Sequence, residues 1–326
     1  MGNLLIKKQD ISMEMIADIA SFMHNSNFLW SDIPTLDYVL NILNPPYSRQ
    51  ILVYNDNTIV GCNFFIYART RIKDDYKTIA WSNSTFLDPI YRRYVGLDFI
   101  LSIYECENVM GFGVTDINYK LLTMLHANFI ATSYGFKLKN EYYNSGISNP
   151  ILSYPSDLFV KDKHFIKVNS SSEIRAPKDG SWNQDMEIDF IRDEDFINKR
   201  FFKTPWHYLI YRLPGNGTSL DELYFVCRIR NNKGIRTLFL VDYRFNVDSK
   251  MGMDYVIEAL YQLCVLNNIK ESLIFTSLTS QINTANRVLE KFGEDVHLIS
   301  NITGINPNSI MVTPADSDCD LIPLNS

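Results

Sequence analysis

The chain has 326 residues, enough for roughly two domains at about 150 residues each. Hydrophobic residues make up 46% and charged residues 21%, which excludes disorder, collagen and a coiled coil as the main architecture. The net charge of −6 leaves no electrostatic footprint of a nucleic-acid binder, while 19 Tyr and 20 Phe supply rings for large cores and pocket walls. Along the chain, Ile11, Met15, Ile16, Ile19, Ala20 and Met23 recur at helical spacing and predict a helix over 11–30. A short helix over Thr35–Leu43 should stop at Pro45 and Pro46. Ile51–Tyr54 and Ile59–Tyr67 flank Asn55-Asp56-Asn57 and read as a hairpin. Lys77–Leu87 is a further strand ended by Asp88-Pro89. A helix over Leu97–Met110, a strand at Phe112–Val114, a helix over Tyr119–His126 and strands at Phe129–Tyr134 and Phe136–Tyr143 complete the first half.

Residues 144–182 change character. Asn, Ser, Gly and Pro accumulate there and mark a linker or packing segment. The second half repeats the order: helix over Asp193–Arg212, hairpin Tyr224–Ile229 and Thr237–Tyr243, helix Gly252–Leu266, strand Ser272–Phe275, helix Ser280–Lys291. Both halves share the order helix, hairpin, helix, strand, helix, so divergent internal duplication is the economical reading. The five cysteines (62, 106, 227, 264, 319) form no C-x-x-C pair, which removes zinc-ribbon and redox-motif readings and favours free thiols. A polar, acidic stretch follows Lys7 and Lys8 where a leader would be apolar, position 6 is Ile where a myristoylation signal needs Ser or Thr, and no apolar run reaches 18 residues. A cytoplasmic protein with no membrane span and no bound metal is the expectation.

The informative segment is Ser84-Thr-Phe-Leu-Asp-Pro-Ile-Tyr-Arg-Arg-Tyr-Val-Gly-Leu-Asp98. A strand ends, a turn with two arginines and a glycine follows, and a helix starts. Backbone N–H groups at the positive end of a helix suit a diphosphate, and Arg92 or Arg93 can add a charge-assisted bond. The plainer alternative is an ordinary strand-to-helix turn with solvated arginines.

Pro89-x-Tyr91-Arg92-Arg93-x-x-Gly96-Leu97 resembles the acyl-CoA loop of the GNAT acetyltransferases, a strand, then R/Q-x-x-G-x-G/A, then a helix. Arg93-Tyr94-Val95-Gly96 matches its first half, and Asp98 stands at the last Gly/Ala position. Gly111–Val114 and Asn118 match the family's splayed strand and the asparagine after it. More broadly, Tyr134-Gly-Phe-Lys-Leu138, Tyr142-Tyr143, Arg200-Phe-Phe-Lys-Thr-Pro-Trp206-His207-Tyr208, Val241-Asp242-Tyr243 and Thr313-Pro-Ala-Asp316-Ser-Asp318 occur in an order similar to GNAT-like proteins of bacterial surface-polysaccharide gene clusters. The resemblance implies an α/β (α+β) fold of two tandem GNAT-like domains, each a mixed, mostly antiparallel sheet flanked by helices. Residues 1–150 would bind acyl-CoA, 151–182 would link, and 183–326 would be a degenerate copy shaping the acceptor site. In that second copy the matching loop, Asp248-Ser-Lys-Met-Gly252-Met, has one glycine, no arginine and an added carboxylate.

The same resemblance implies acetyl-CoA or another acyl-CoA held by Phe86, Leu87, Arg92, Arg93, Tyr94, Val95, Gly96, Leu97 and Asn118. Amine acylation needs a base and a donor to the leaving thiolate. The strand before the loop offers Trp81, Ser82, Asn83, Ser84 and Thr85 but no glutamate, so Ser84 could order a water. His126 has the intrinsic range of a base, although a histidine at a helix C-terminus also simply complements the dipole. Tyr119 is the candidate thiol acid. Trp81, Tyr143, Arg200, Trp206, His207, Asp242, Asp316 and Asp318 are candidate acceptor contacts. For Arg200, Trp206 and His207 the alternative is a packing stripe. For Asp242 it is a buried partner, and for Asp316 and Asp318 a solvated acidic tail. Three functions compete: an N-acyltransferase acting on a small amino sugar, nucleotide-linked, for a surface polysaccharide, with a homodimer possible; a Fem-type transferase using aminoacyl-tRNA, against which the net charge argues; and a non-catalytic scaffold or sugar-binding pair.

Overall fold

The computed structural model describes residues 2–10, 12–26, 48–105, 108–114, 116–124, 127–147, 151–183, 185–232, 235–278, 282, 287–293 and 295–316. The expected helix over 35–43 lies outside these residues. The first half begins with a strand that periodicity did not show, β1 (Leu4–Asp10). The helix α1 (Ile16–Asn25) then lays Ile16, Ile19, Ala20 and Met23 on Leu52, Cys62 and Phe64. Burying side chains of the size of Ile16, Ile19 and Met23 contributes about 1.5–3 kcal/mol each. The hairpin strands β2 (Ser48–Asn55) and β3 (Thr58–Ile72) meet across a turn in which Asp56 adopts φ +55°. The antiparallel β4 (Asp75–Leu87) follows, then α2 (Arg92–Tyr104), β5 (Val109–Val114), α3 (Asp116–Met124) and β6 (Asn128–Lys139). The last is one strand, where two were expected.

The segment expected to be a linker carries a hairpin, β7 (Asp157–Val160) and β8 (Lys163–Lys167). After β9 (Ile188–Phe190) the expected helix over 193–212 shrinks to α4 (Glu194–Ile197) and one π-type turn over Asn198–Phe202. Pro205 has no N–H and cannot continue a helix, and Leu209–Pro214 is instead strand β10. Then come β11 (Asp221–Asn232), β12 (Ile235–Phe245), α5 (Ser249–Leu266) and β13 (Glu271–Thr276). The helix expected to reach Lys291 does not. Leu289–Lys291 is strand β14, followed by β15 (Val296–Ser300).

All fifteen strands join one sheet, with the path β1-β2-β3-β4-β5-β15-β6-β13-β12-β11-β10-β8-β7, β9 pairing β3 and β14 pairing β6. The two halves exchange strands. β15, from the end of the chain, lies between β5 and β6. The far end of β6 pairs β13 through Thr276↔Tyr134 to Glu271↔Lys139. Each half contains the same unit, an antiparallel hairpin, a helix and a parallel strand: β3-β4-α2-β5 and β11-β12-α5-β13. In each, the strand before the helix is bulged. Ser84 and Thr85 stand opposite Asn63 alone, and Val241 is extra opposite Val226 and Cys227. A bulge bends its strand and ends regular pairing.

Candidate functional site

The β4–β5 ladder is short: Ala80↔Val109, Trp81↔Met110 and Ser82↔Gly111. Beyond Ser82 no further β4–β5 pair forms among the described residues, although both strands continue, and this wedge between them leads toward the start of α2. The β4 bulge lies just past the last β4–β5 pair. Ser84 takes φ +51°, a conformation that costs a non-glycine residue on the order of 1 kcal/mol and concentrates at functional sites. Buried Asn63 braces the bulge, its Oδ1 accepting from Ser82 Oγ at 2.6 Å and Thr85 Oγ1 at 2.7 Å. The Ser84 carbonyl accepts from Cys62 Sγ. Burial pushes that thiol up to about 12, so Cys62 is no nucleophile.

Helix α2 starts earlier than the sequence suggests. Tyr94 N and Val95 N both donate to Tyr91 O, so Arg92 is already helical and Gly96 lies inside the helix rather than in a loop. A Cβ on Gly96 would meet only Arg92 and Leu87 at 3.9–4.0 Å. The packing of the chain itself does not require a glycine here, and its helical position differs from the loop position expected from the sequence. The remaining turn amides are mostly taken: Ile90 N by Asp88 Oδ1, Tyr91 N by Asp88 O and Arg92 N by Pro89 O. Arg93 N donates to no protein oxygen among the described residues. Arg92 is tied down through Nε to Leu87 O, whereas the Arg93 guanidinium lies over the exposed Tyr94 ring at 4.5 Å. Val95 and Leu87 pack inward, Leu97 points to solvent, and Phe86 turns to the opposite face against Phe22 at 5.8 Å.

On the α2 face, at the free end of β5, three rings meet. Tyr119 of α3 contacts His297 of β15 at 4.9 Å between centroids and Phe129 of β6 at 6.4 Å, and Phe129 contacts His297 at 6.1 Å. His297 stands opposite Val114 and Thr132, with Nδ1 3.4 Å from Thr132 Oγ1. Sequence reasoning missed His297. It is a lone histidine in the apolar run Val296–Ile299, and only the strand exchange carries it to Tyr119. His126 and Asp318 lie outside the described residues, as does the side chain of Asn118, whose backbone is in α3.

The second wedge is filled by the protein itself. The β12–β13 ladder ends at Phe239↔Leu273, and Tyr243 OH reaches across to Thr276 Oγ1 at 2.6 Å. The segment 310–316 closes over it. Ser277 Oγ donates to Ile310 O and accepts from Val312 N, and Thr313 Oγ1 donates to Asp242 Oδ1 at 2.7 Å. Asp242 is fully buried and also accepts from Arg192, Arg244 and Tyr224 OH, while Asp316 accepts from Arg192. Burial opposes the Asp242 charge, but the two guanidinium groups outweigh it and hold its carboxyl well below the usual range. The buried-partner alternative thus describes Asp242, while Asp316, read alternatively as part of a solvated acidic tail, is instead buried beside it. At the start of α5, Asp248 Oδ1 accepts from Lys250 N and Met251 N, so a carboxylate of the chain occupies the anion position.

Of the other candidates, Trp81 is fully buried against Phe190 at 5.1 Å and lines no opening. Arg200 and Trp206 do converge: Arg200 Nη1 and Trp206 Nε1 both donate to Tyr208 OH at 2.6 Å, and Trp206 packs against the α1 core. His207 turns away onto Tyr154, and burial, with Lys167 nearby, lowers its pKa. Tyr143 is exposed in the turn after β6. A groove of about 610 Å³ opens between α1, the β2–β3 turn and the 88–91 turn, lined among others by Asp18, Phe22, Tyr54, Asp88 and Tyr91 and by no described lysine or arginine. Among the described residues no cluster of His, Cys, Asp and Glu could hold a metal ion, and no helix is long and apolar enough to cross a membrane.

A bulged strand, a wedge against a parallel neighbour, a helix starting at the wedge mouth and a second copy of the unit define a tandem GNAT-like fold. Solved structures show that fold. A GCN5-related N-acetyltransferase from Anabaena variabilis matches with TM-score 0.56 and 10% identity over 90% of this chain and 72% of its own. A conserved protein of unknown function from Enterococcus faecalis, described as a probable N-acyltransferase, matches with TM-score 0.56 and 9% identity over 91% and 72%. N-myristoyltransferase from Saccharomyces cerevisiae, solved with bound myristoyl-CoA, matches with TM-score 0.60 and 9% identity over 97% and 83%. No protein-family model and no curated protein sequence matches the chain.

Proposed function

We propose that the chain is an acyl-CoA-dependent N-acyltransferase of the GNAT type, with the donor in the β4–β5 wedge. The wedge carries the reading. Past the last β4–β5 pair, Ser82↔Gly111, β4 runs on to the α2 start without β5 beside it in the ladder, and an extended arm can lie along a strand edge as an added strand would. The residues fit an acyl-CoA there, with one change from the expected pattern. The diphosphate end is held by Arg93, through its free amide and its guanidinium, and not by a glycine turn. Acyl-CoA supplies a thioester whose carbonyl an amine can attack. The chain contributes the polar bulge of β4, where Asn63 holds the Ser82 and Thr85 hydroxyls that order water at the wedge, and Tyr119 as proton donor to the departing sulfur. Residues 1–150 form the donor unit and 183–326 the unit that closes the acceptor side.

For the acceptor we propose an amino sugar of surface-polysaccharide synthesis. The sequence resemblance supports it; the groove beside α1, on the sheet face opposite α2, is a separate surface. Whether the sugar is nucleotide-linked is decided by comparing free and nucleotide-linked amino sugars as acceptors. Donor binding is tested by melting. Acetyl-CoA at 100 times its Kd should stabilise the fold by about 2.7 kcal/mol. Arg93→Glu should abolish the shift and Gly96→Ala should keep it. No shift for the unaltered chain at millimolar acetyl-CoA sinks the reading.

A further inference from the structure

We infer that His297, delivered from the other half of the chain, is the general base of the wedge site. The inference rests on the acyltransferase reading and adds a residue to it. Three observations converge on this imidazole. Strand β15 places it opposite Val114, at the free end of β5, three residues past the last β4–β5 pair at Gly111. The position is therefore at the wedge mouth. The ring contact with Tyr119 sets the imidazole on the α2–α3 face. Tyr119 and Phe129 both contact the imidazole, and Thr132 Oγ1 lies 3.4 Å from Nδ1. With Nδ1 turned to Thr132, Nε2 has no protein partner among the described residues. A half-buried imidazole with one nitrogen fixed and the other free is the arrangement of an oriented base.

The proton account closes. As the amine nitrogen bonds to the thioester carbonyl carbon, the proton it loses goes to His297 Nε2. The C–S bond breaks, and the sulfur takes the hydroxyl proton of Tyr119. The imidazolium then restores the Tyr119 hydroxyl, leaving amide, free thiol and both side chains as they began. Tyr119 is the titratable group that faces the imidazole from α3. Phe129 and Thr132 of β6 and Val114 of β5 bring none.

The test uses the full chain, acetyl-CoA as donor and glucosamine as amine probe, with thiol release as the rate. His297→Gln and His297→Asn should bind acetyl-CoA within threefold of the unaltered chain and melt cooperatively. Their rates should fall by about 10²–10⁴-fold and lose the rise with pH through the imidazole range, and added imidazole should partly rescue His297→Ala. As a readout apart from turnover, the His297 ring signals in NMR should move when acetyl-CoA is added. A chain that turns over while His297→Gln keeps its rate and pH profile overturns the base alone. A chain that binds no acetyl-CoA, or binds it and acylates no amine, overturns the acyltransferase reading and the base with it. His297 ring signals that stay in place at saturating acetyl-CoA overturn the base whatever the rates.

Discussion

Asp242 carries more of the fold than any surface charge. It sits with Arg192 and Arg244 at zero exposure, and the three are bound to one another and to Thr313 and Asp316. Removing one partner of such a set leaves the others charged and uncompensated, which costs about 3–5 kcal/mol. Asp242→Asn should therefore lower stability by that amount in urea unfolding at neutral pH, and a loss below about 1 kcal/mol would show that the set is not balanced as described. The pH dependence follows from the depressed carboxyl. Its contribution is fully present above the unfolded-chain value of about 3.9 and is lost as pH falls through the folded value of about 2. Acid unfolding should steepen in that window and not nearer neutrality. The sequence showed that Asp242 needed a partner, because it stands in an apolar strand. It could not show which, since Arg192 and Asp316 lie far off in the chain and meet it only through the sheet. His297 is the same case without the warning, because a single histidine in a strand breaks no rule.

At the scale of elements, the two helices that follow the bulged strands test how far a shared pattern implies a shared use. Gly96 and Gly252 occupy matching places in the sequence, near the starts of α2 and α5. A Cβ on Gly96 has ordinary room, whereas a Cβ on Gly252 would lie 2.5 Å from a ring carbon of Phe245, itself buried in the core. Gly96→Ala should stabilise the chain by about 0.5–1 kcal/mol, the gain from replacing glycine inside a helix. Gly252→Ala should destabilise it by about 1–3 kcal/mol, since a packed ring must move. Opposite signs in thermal melts are the expected outcome, and equal signs would contradict the packing described. Hairpins and long helices were legible here because their apolar spacing is local: Ile51–Tyr54, Ile59–Tyr67 and Gly252–Leu266 fall where periodicity puts them. Leu209–Pro214 was not, because its ladder to β11 and β8 is a tertiary fact that overrides a helix-like apolar pattern. The bulge at Ser84, beside the wedge, has no signature in residue types.

At the scale of the molecule, neither half closes its own sheet. Ending the chain at residue 150 would strip β6 of β15 along Asn128–Ser133 and of β13 and β14 along Tyr134–Lys139, leaving two long unpaired edges. The core under Trp81 would also lose Ile188, Phe190, Leu298, Ile310 and Val312. At about 1.5–3 kcal/mol for each such side chain, that loss alone matches the whole stability of an ordinary domain, about 5–15 kcal/mol. Residues 1–150 made alone should therefore be soluble only as an aggregation-prone, poorly dispersed species in NMR, exposed along an edge of the kind that recruits other strands. Residues 1–150 and 151–326 made together as two chains should instead copurify as a 1:1 pair. Their melting should be a single transition, because β6 and β15 each complete the other half's sheet. A cooperative fold of residues 1–150 on its own would show that β15 is an accessory to the first half. In that case His297 would be a visitor at the wedge and not part of its construction.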